Sequence, residues 1–423
     1  MGSIAVISSD DQLNNMILDY CESLEDDAFI PFFLSSTEKA RLSLDFDLPQ
    51  IAIINCIDKK IDTPRILETL RKDPWLHSCG IIALHNETDE SKIHDMFKDT
   101  NLIASLQMDM VESNFGRVLR ILQKHSQMIF HTEIQGLFSR QVSCNYELSN
   151  DPFDVHIYAN IVENFLFNMN LLEPNTRGSI SIILIELLMN AIEHGNCDIS
   201  FEEKSEWMKS GHNIFELIMD RQQNLAIAKK RVSFSYTINP DKSTFTIRDE
   251  GNGFDHEKYT QMSQVENIRE RHGRGILMAN FYAEKLHYNT AGNECTFVIN
   301  HLEHENNTVP IIFQEKEATS YKDGEIIFSE GDSSDDLYYI VSGKFNIISN
   351  GRQFTKLTSD DIFLGEMSFL LNHKRSATVV SDGTTKLIKI SKRVFVNAIK
   401  QNPHYGIFLA RLLAQRLSRA SQS

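Results

Sequence analysis

Glu186, Asn190 and His194 recur at i, i+4 and i+8 in Ile182-Ile-Leu-Ile-Glu-Leu-Leu-Met-Asn-Ala-Ile-Glu-His-Gly195, so on a helix they share one face. The segment is apolar around most of its circumference. It must be largely buried, and its polar residues need partners. A carboxylate and an asparagine there suit either Mg2+ coordination with phosphate oxygens and a nearby general base, or a hydrogen-bonded core pair. Further on, Ile247-Arg-Asp249-Glu-Gly251-Asn-Gly253-Phe follows a strand-like run and supplies D-x-G-x-G. A buried aspartate after a strand can accept from an adenine exocyclic amine, and the glycines let a ring approach the backbone. Arg271-His-Gly273-Arg274-Gly275-Ile-Leu-Met then opens a helical stretch, whose first amides form an anion site for phosphates. Each motif alone is weak. Their order on suitable elements favours a nucleotide pocket.

The elements that must hold these residues fall into four stretches. In residues 1–122, Ile4–Ile7, Ile51–Ile54 and Ile81–Leu84 read as buried parallel strands, with helical spacing over Gln12–Leu24 and Pro64–Arg71. That rhythm predicts a doubly wound α/β domain. Residues 123–147 carry no turn signal and read as a helical linker. Over 148–304, two long helices (near 154–170 and 177–194) precede a polar helical stretch near 200–230. Strands Val232–Ile238, Thr244–Asp249 and Cys295–Ile299, with a helix from His272 to Leu286, complete an α+β sandwich. Residues 305–423 hold short strands between turn residues such as Gly331-Asp332 and Asn350-Gly351, then helices near 392–400 and 403–418. This predicts an all-β barrel or jelly roll with C-terminal helices.

The middle motifs together resemble the GHKL ATPase superfamily, with Glu186–Asn190 as the N box, Asp249–Gly253 as G1 and Arg271–Gly275 as G2. Gly292-Asn-Glu-Cys-Thr296-Phe is similar to the closing strand motif. The short lid between Phe254 and Arg271 makes the stretch most similar to anti-sigma-factor serine/threonine kinases. The resemblance implies a kinase using ATP and Mg2+. Glu186 would be the general base for a serine hydroxyl, Asn190 the Mg2+ ligand, and Asp249 the adenine reader, supported by Thr296. Arg271 would lie near the γ-phosphate, with His194, Gly251, Gly253, Gly273, Arg274 and Gly275 around the nucleotide. It also implies a homodimer and, as partner, a STAS-type anti-sigma-factor antagonist or sigma-factor-like protein. One departure stands out: about 35 residues, Cys197 to Arg231, are inserted between the N-box helix and the next strand.

Near the C-terminus, Phe363-Leu-Gly365-Glu366-Met367-Ser368 and Arg375-Ser376-Ala377-Thr bracket a short helical turn. They resemble the phosphate-binding cassette of cyclic-nucleotide-binding domains, from G-E-x-[AS] to R-[STA]-A-T. On that resemblance Arg375 pairs with the cyclic phosphate of cAMP or cGMP, Glu366 with the ribose 2′-hydroxyl, and amides around Met367 and Ser376 with phosphate oxygens. The alternative is a barrel that binds nothing, with Arg375 and Glu366 joined as a salt bridge. The first domain resembles two-component receivers without their chemistry. Asn55 stands at the phosphoacceptor position, Ser8 and Ser9 fall on the acidic pair, and no lysine occurs from Asn101 to Asn114. An amide is no nucleophile toward an acyl phosphate, so a pseudo-receiver used for contacts or dimerisation is expected.

Composition narrows the classes. A formal net charge of −16 disfavours nucleic acid as a partner. No run reaches the ~18 apolar residues of a membrane span, and six scattered cysteines without CxxC suggest neither a disulfide framework nor zinc. A cytoplasmic signalling kinase switched by a cyclic nucleotide is the expectation. Its rival is a non-catalytic ATP-binding anti-sigma factor or scaffold.

Overall fold

The computed structural model describes residues 2–24, 29–73, 76, 79–87, 90–125, 142–169, 171–172, 177–239, 241–254, 285–301, 309–333, 336–371 and 373–422. The chain forms two compact units, Met1–Gly136 with His304–Ser423, and Leu137–Glu303. Among the described residues no single helix is long and apolar enough to cross a membrane.

The N-terminal domain runs β1 (Gly2–Ile7), α1 (Asp11–Glu22), β2 (Phe29–Leu34), α2 (Thr37–Phe46), β3 (Ile51–Asn55), α3 (Thr63–Lys72), β4 (Gly80–His85), α4 (Glu90–Met96), β5 (Leu102–Gln107) and α5 (Val111–Lys124). All strand pairs are parallel, in the order β2-β1-β3-β4-β5, the doubly wound order of receiver-like folds. Every residue of β3 and β4 is buried, which is why both read as unbroken apolar runs. Side-chain oxygens of Asp10, Ser36 and Asp62 cap α1, α2 and α3. At the mouth of the sheet, Asn55 Nδ2 donates to Ser8 Oγ at 3.1 Å, and Asp58 Oδ2 accepts from the Ser9 amide at 2.5 Å. Ser8, Ser9, Asn55 and Asp58 are here tied into an internal hydrogen-bond network.

The second unit comprises β6 (Val142–Leu148), α6 (Pro152–Asn168), α7 (Arg177–Asn190), a wide turn over Ala191–Asn196, α8 (Phe201–Lys209), α9 (Ile214–Arg221), α10 (Leu225–Lys229), β7 (Val232–Ile238), β8 (Lys242–Arg248), β9 (Lys285–Tyr288) and β10 (Glu294–Asn300). Its five described strands are antiparallel, in the order β6-β7-β8-β10-β9. Phe234, Tyr236, Phe245, Ile247 and Phe297 are buried at alternate positions along β7, β8 and β10. Phe245 and Phe297 stack with centroids 4.8 Å apart. Two readings need correction. Residues 142–148 are not part of a helical linker but the edge strand, pairing with β7 from Val142↔Ile238 to Leu148↔Val232. Val142, Cys144, Tyr146 and Leu148 alternate with polar residues, a period-two signal that one half-buried face leaves faint. Likewise Lys285 and Leu286 begin β9 rather than end a helix; the rest of that expected helix lies outside the described residues.

The C-terminal domain opens with α11 (Ile311–Gln314), then β11 (Thr319–Tyr321), β12 (Ile326–Phe328), β13 (Asp336–Ser349), β14 (Arg352–Thr358), β15 (Phe363–Leu364), α12 (Glu366–Leu371) and β16 (Thr378–Ser391). It ends on α13 (Lys392–Gln401) and α14 (His404–Gln422). All its strand pairs are antiparallel, and the long β13 and β16 form its spine. Tyr405, Leu409 and Leu412 of α14 join Phe363, Phe369 and Phe395 in its core.

The first turn of α14 also meets the N-terminal domain. Ile407 and Phe408 pack against the core formed by Leu44, Ile66, Leu70 and Leu76. His404 Nε2 lies 3.1 Å from Asp73 Oδ2, and its Nδ1 lies 3.5 Å from Asp45 Oδ1. The Tyr405 hydroxyl donates to the same Asp73 oxygen. Burial alone would lower the His404 pKa, but the bonds to Asp45 and Asp73 outweigh it and hold the imidazole above its ordinary value. A histidine raised on folding contributes stability that is full below the unfolded value of about 6.5 and is lost as pH rises through the higher folded value. The His404 ring resonances in NMR should therefore titrate above the range of exposed histidines, and Asp73→Asn should bring the midpoint down. A midpoint at or below the ordinary value would contradict this account.

Candidate functional site

The first two nucleotide motifs meet where the end of α7 abuts the turn after β8. The wide turn closes with the Cys197 amide bonded to the Ile192 carbonyl at 2.8 Å, five residues back. Gly195 sits in this turn against Asp249: a β-carbon there would stand 2.3 Å from Asp249 Cγ. A β-carbon on Gly251 would stand 2.3 Å from the Gly195 carbonyl oxygen. The two backbones thus touch at a pair of glycines, and Asp249 lies in the crease.

Three further contacts fix the aspartate. Its Oδ1 accepts from the Gly251 amide at 2.8 Å, its own amide donates to the Asn293 carbonyl at 3.0 Å, and Asn293 Nδ2 reaches its carbonyl at 3.4 Å. Gly253, at φ +75°, approaches Ala291, and Gly292, at φ +76°, approaches Phe254, so the turns after β8 and before β10 are zipped together. Burial raises the Asp249 pKa, and the bond from the Gly251 amide partly opposes it. The carboxyl is thus half-buried and held by the backbone on both sides.

Glu186 and Asn190, one helical turn apart on α7, are both half-buried, which leaves room for ligand contact. His194 is exposed, and its Nδ1 lies 2.6 Å from the Ile199 carbonyl. Thr296 pairs in register with Thr246, hydroxyl to hydroxyl at 3.0 Å, on the face of the sheet opposite Ile247 and Phe297. Cys295, two positions along from the Asn293 that bonds Asp249, shares the aspartate's face, and burial pushes its thiol up to about 12. Arg271, Gly273, Arg274 and Gly275 lie outside the described residues.

Sequence reading missed the relay beneath the turn. The Asn196 side chain, fully buried, accepts from the Glu250 amide and donates to Asn150 Oδ1, both at 2.8 Å. Asn150 Nδ2 donates to the Ile227 carbonyl at 2.8 Å, and Lys230 Nζ to the Asn196 carbonyl at 3.1 Å. Glu193, also buried, pairs with Lys204 of α8. The 197–231 insertion is thereby attached to the N-box turn. The only signal was a buried-type helix carrying Glu193 and Asn196 past its last expected ligand.

The cassette of the C-terminal domain forms a second site. Arg375 is 2% exposed, and its guanidinium lies 4.2 Å from the Phe328 ring centroid. Its Nη1 donates to the Gly365 carbonyl at 3.0 Å and Ser368 Oγ at 2.7 Å, and its Nη2 to the Asp336 carbonyl at 2.7 Å. Gly365 has φ +80°, and a β-carbon there would stand 2.1 Å from Arg375 Nη1. Glu366 at the start of α12 is buried and pairs with Arg416 of α14, whose Nη2 also donates to the Asp361 and Phe363 carbonyls at 2.7 and 2.8 Å. Met367 and Ser376 are exposed, and Ala377 is half-buried. Arg416 was not singled out in the sequence, where it is one of several arginines on an amphipathic helix.

Residues 148–299 match the family described as the histidine kinase-like ATPase domain, and residues 318–402 the cyclic nucleotide-binding domain. The C-terminal stretch is similar to the cyclic AMP receptor protein of Thermus thermophilus, 33% identical over 105 residues, which are 24% of this chain and 48% of that protein. It is 33% identical over 87 residues to the cAMP-dependent protein kinase regulatory subunit of Dictyostelium discoideum, covering 19% of this chain and 26% of that one. It is 28% identical over 117 residues to the cGMP-dependent protein kinase of Toxoplasma gondii, covering 24% and 12%. The chain thus spans less than half the length of these curated relatives. A crystal structure of the Thermus thermophilus catabolite activator protein aligns with 26% of this chain and 55% of its own, at 29% identity and a TM-score of 0.25.

The glycine contacts make two opposite variants. Gly195→Ala should weaken ATP binding about tenfold or more, a loss of ~1.4 kcal/mol or above, because Asp249 cannot retreat from the new methyl. Gly365→Ala should impair cyclic-nucleotide binding while sparing ATP. Calorimetric titration of both variants with both ligands checks the pair, and unchanged ATP affinity in Gly195→Ala would refute the role given to the crease.

Proposed function

We propose that this chain is a cyclic-nucleotide-regulated serine/threonine kinase of the anti-sigma-factor type, transferring the γ-phosphate of ATP to a STAS-type antagonist protein. The observation that carries the reading is Asp249, half-buried and immobilised against Gly195 at the end of the helix that bears Glu186 and Asn190. Asp249 accepts from the adenine amine. Glu186 takes the proton from the attacking hydroxyl as its oxygen bonds to the γ-phosphorus and ADP departs. His194, Gly251 and Gly253 line the nucleotide; by the motif resemblance Arg271, Gly273, Arg274 and Gly275, outside the described residues, would serve its phosphates.

Asn190 offers an amide oxygen, a hard donor suited to Mg2+. Among the described residues no three His, Cys, Asp or Glu side chains converge on a metal position. Bound there, Mg2+ would neutralise phosphate charge. At the cassette, Arg375 and the turns at Gly365, Met367, Ser368, Ser376 and Ala377 receive the cyclic phosphate, and Glu366 the ribose hydroxyl. The names of the relatives point to both cAMP and cGMP as ligands.

The test is transfer from γ-labelled ATP, with Mg2+, to candidate STAS-type proteins, with and without either cyclic nucleotide. Glu186→Gln should lower transfer at least about a hundredfold, the usual contribution of a positioned base, while ATP affinity holds. Transfer that survives this change removes Glu186 as the base. If the unaltered chain binds ATP but phosphorylates nothing, the non-catalytic anti-sigma factor or scaffold becomes the reading.

A further inference from the structure

We propose that the N-terminal receiver-like domain is a restraint on the cyclic-nucleotide site: it docks the first turn of α14 and thereby holds Arg416 on Glu366. The inference rests on the cyclic-nucleotide reading of the cassette. Helix α14 is engaged at both ends. At its start, His404 and Tyr405 converge on Asp73, with Asp45 on the other side of the imidazole, and Ile407 and Phe408 enter the core of the receiver-like domain. His404 is 1% and Asp73 5% exposed, so this is a sealed contact. Three turns later, Arg416 occupies the carboxylate of Glu366. Twelve residues of α-helix span about 18 Å, and a helix of that length moves as a rod.

The two ends compete with a ligand in different ways. Glu366 is the group that would accept a ribose hydroxyl, yet its carboxylate already receives a guanidinium that also bonds the Asp361 and Phe363 carbonyls. A sugar claiming that carboxylate must displace or re-aim Arg416, and α14 with it. The Asp73 contact resists that movement, because separating His404 from Asp73 leaves a buried carboxylate without its cationic partner. By linkage, whatever the receiver-like domain contributes to holding α14 is subtracted from ligand affinity, and ligand binding loosens the docked turn by the same free energy. The receiver-like domain thus acquires an output, the position of α14.

The experiment is calorimetric titration of the full chain with cAMP and with cGMP, comparing the unaltered protein with Asp73→Asn and Tyr405→Phe. Affinity for the preferred nucleotide should rise about fivefold or more in Asp73→Asn, the lower end of ordinary coupling. Tyr405→Phe keeps the buried ring and should shift affinity the same way, so it decides the matter if Asp73→Asn fails to fold. In the unaltered chain, amide exchange over residues 37–46 and 63–72 should quicken when the nucleotide is added. Unchanged or weaker affinity in the folded variants overturns the restraint, since a merely structural contact would reduce stability without improving binding. If the unaltered chain binds neither nucleotide, the cassette reading itself falls, and the restraint with it.

Discussion

A β-carbon on Gly195 would collide with the Asp249 carboxylate, and one on Gly251 would collide with the Gly195 carbonyl. That contact lets the turn at the end of an apolar helix lie against a strand-end turn, with the Asp249 carboxylate in the crease between them. The result is a half-buried carboxyl whose position is set by backbone rather than by rotamer. Such a group loses little freedom when it takes a partner. The helix widens over Ala191–Asn196 beside this contact, and Asn196 of the widened turn accepts from the Glu250 amide.

The insertion of residues 197–231 takes its meaning from that turn. Lys204 reaches back to Glu193, Lys230 to the Asn196 carbonyl, and Asn150 ties Ile227 to Asn196. Buried polar groups of this kind are costly unless fully paired, and once paired they specify one arrangement. The insertion is therefore part of the pocket's foundation and not an appendage. A protein bound to α8–α10 would press on the turn that carries Gly195.

The cassette solves a different problem with similar means. A guanidinium held at 2% exposure has lost most of its water and must be given carbonyls and a hydroxyl in exchange. Burial pulls the Arg375 pKa down, yet with neighbouring Asp332, Asp336 and Glu366 supporting the charge it stays a cation. Gly365 again permits the approach, through a positive φ that no side chain favours. In each site a glycine brings a charged group to the backbone, and a second element fastens it there.

Much of this was legible in the residues alone. Period-two and unbroken apolar runs announced the strands, and their alternation with helical stretches announced the parallel α/β domain. D-x-G-x-G behind a helix with Glu186 and Asn190 marked the pocket, and Glu366 with Arg375 marked the cassette. These signals are local: they depend on residue type and on spacing along one element. What the sequence left open depends on pairing between distant segments. The edge strand at Val142–Leu148 exists because β7 lies beside it, and Thr296 turns away from Asp249 because strand register assigns it to the other face. Asp73 and His404 are separated by 331 residues, and nothing in either neighbourhood advertises the other. The glycine motifs at Gly195, Gly251 and Gly365 were written in the sequence; that they bring Asp249 and Arg375 against the backbone, and that α14 joins Glu366 to the receiver-like domain, was decided by packing.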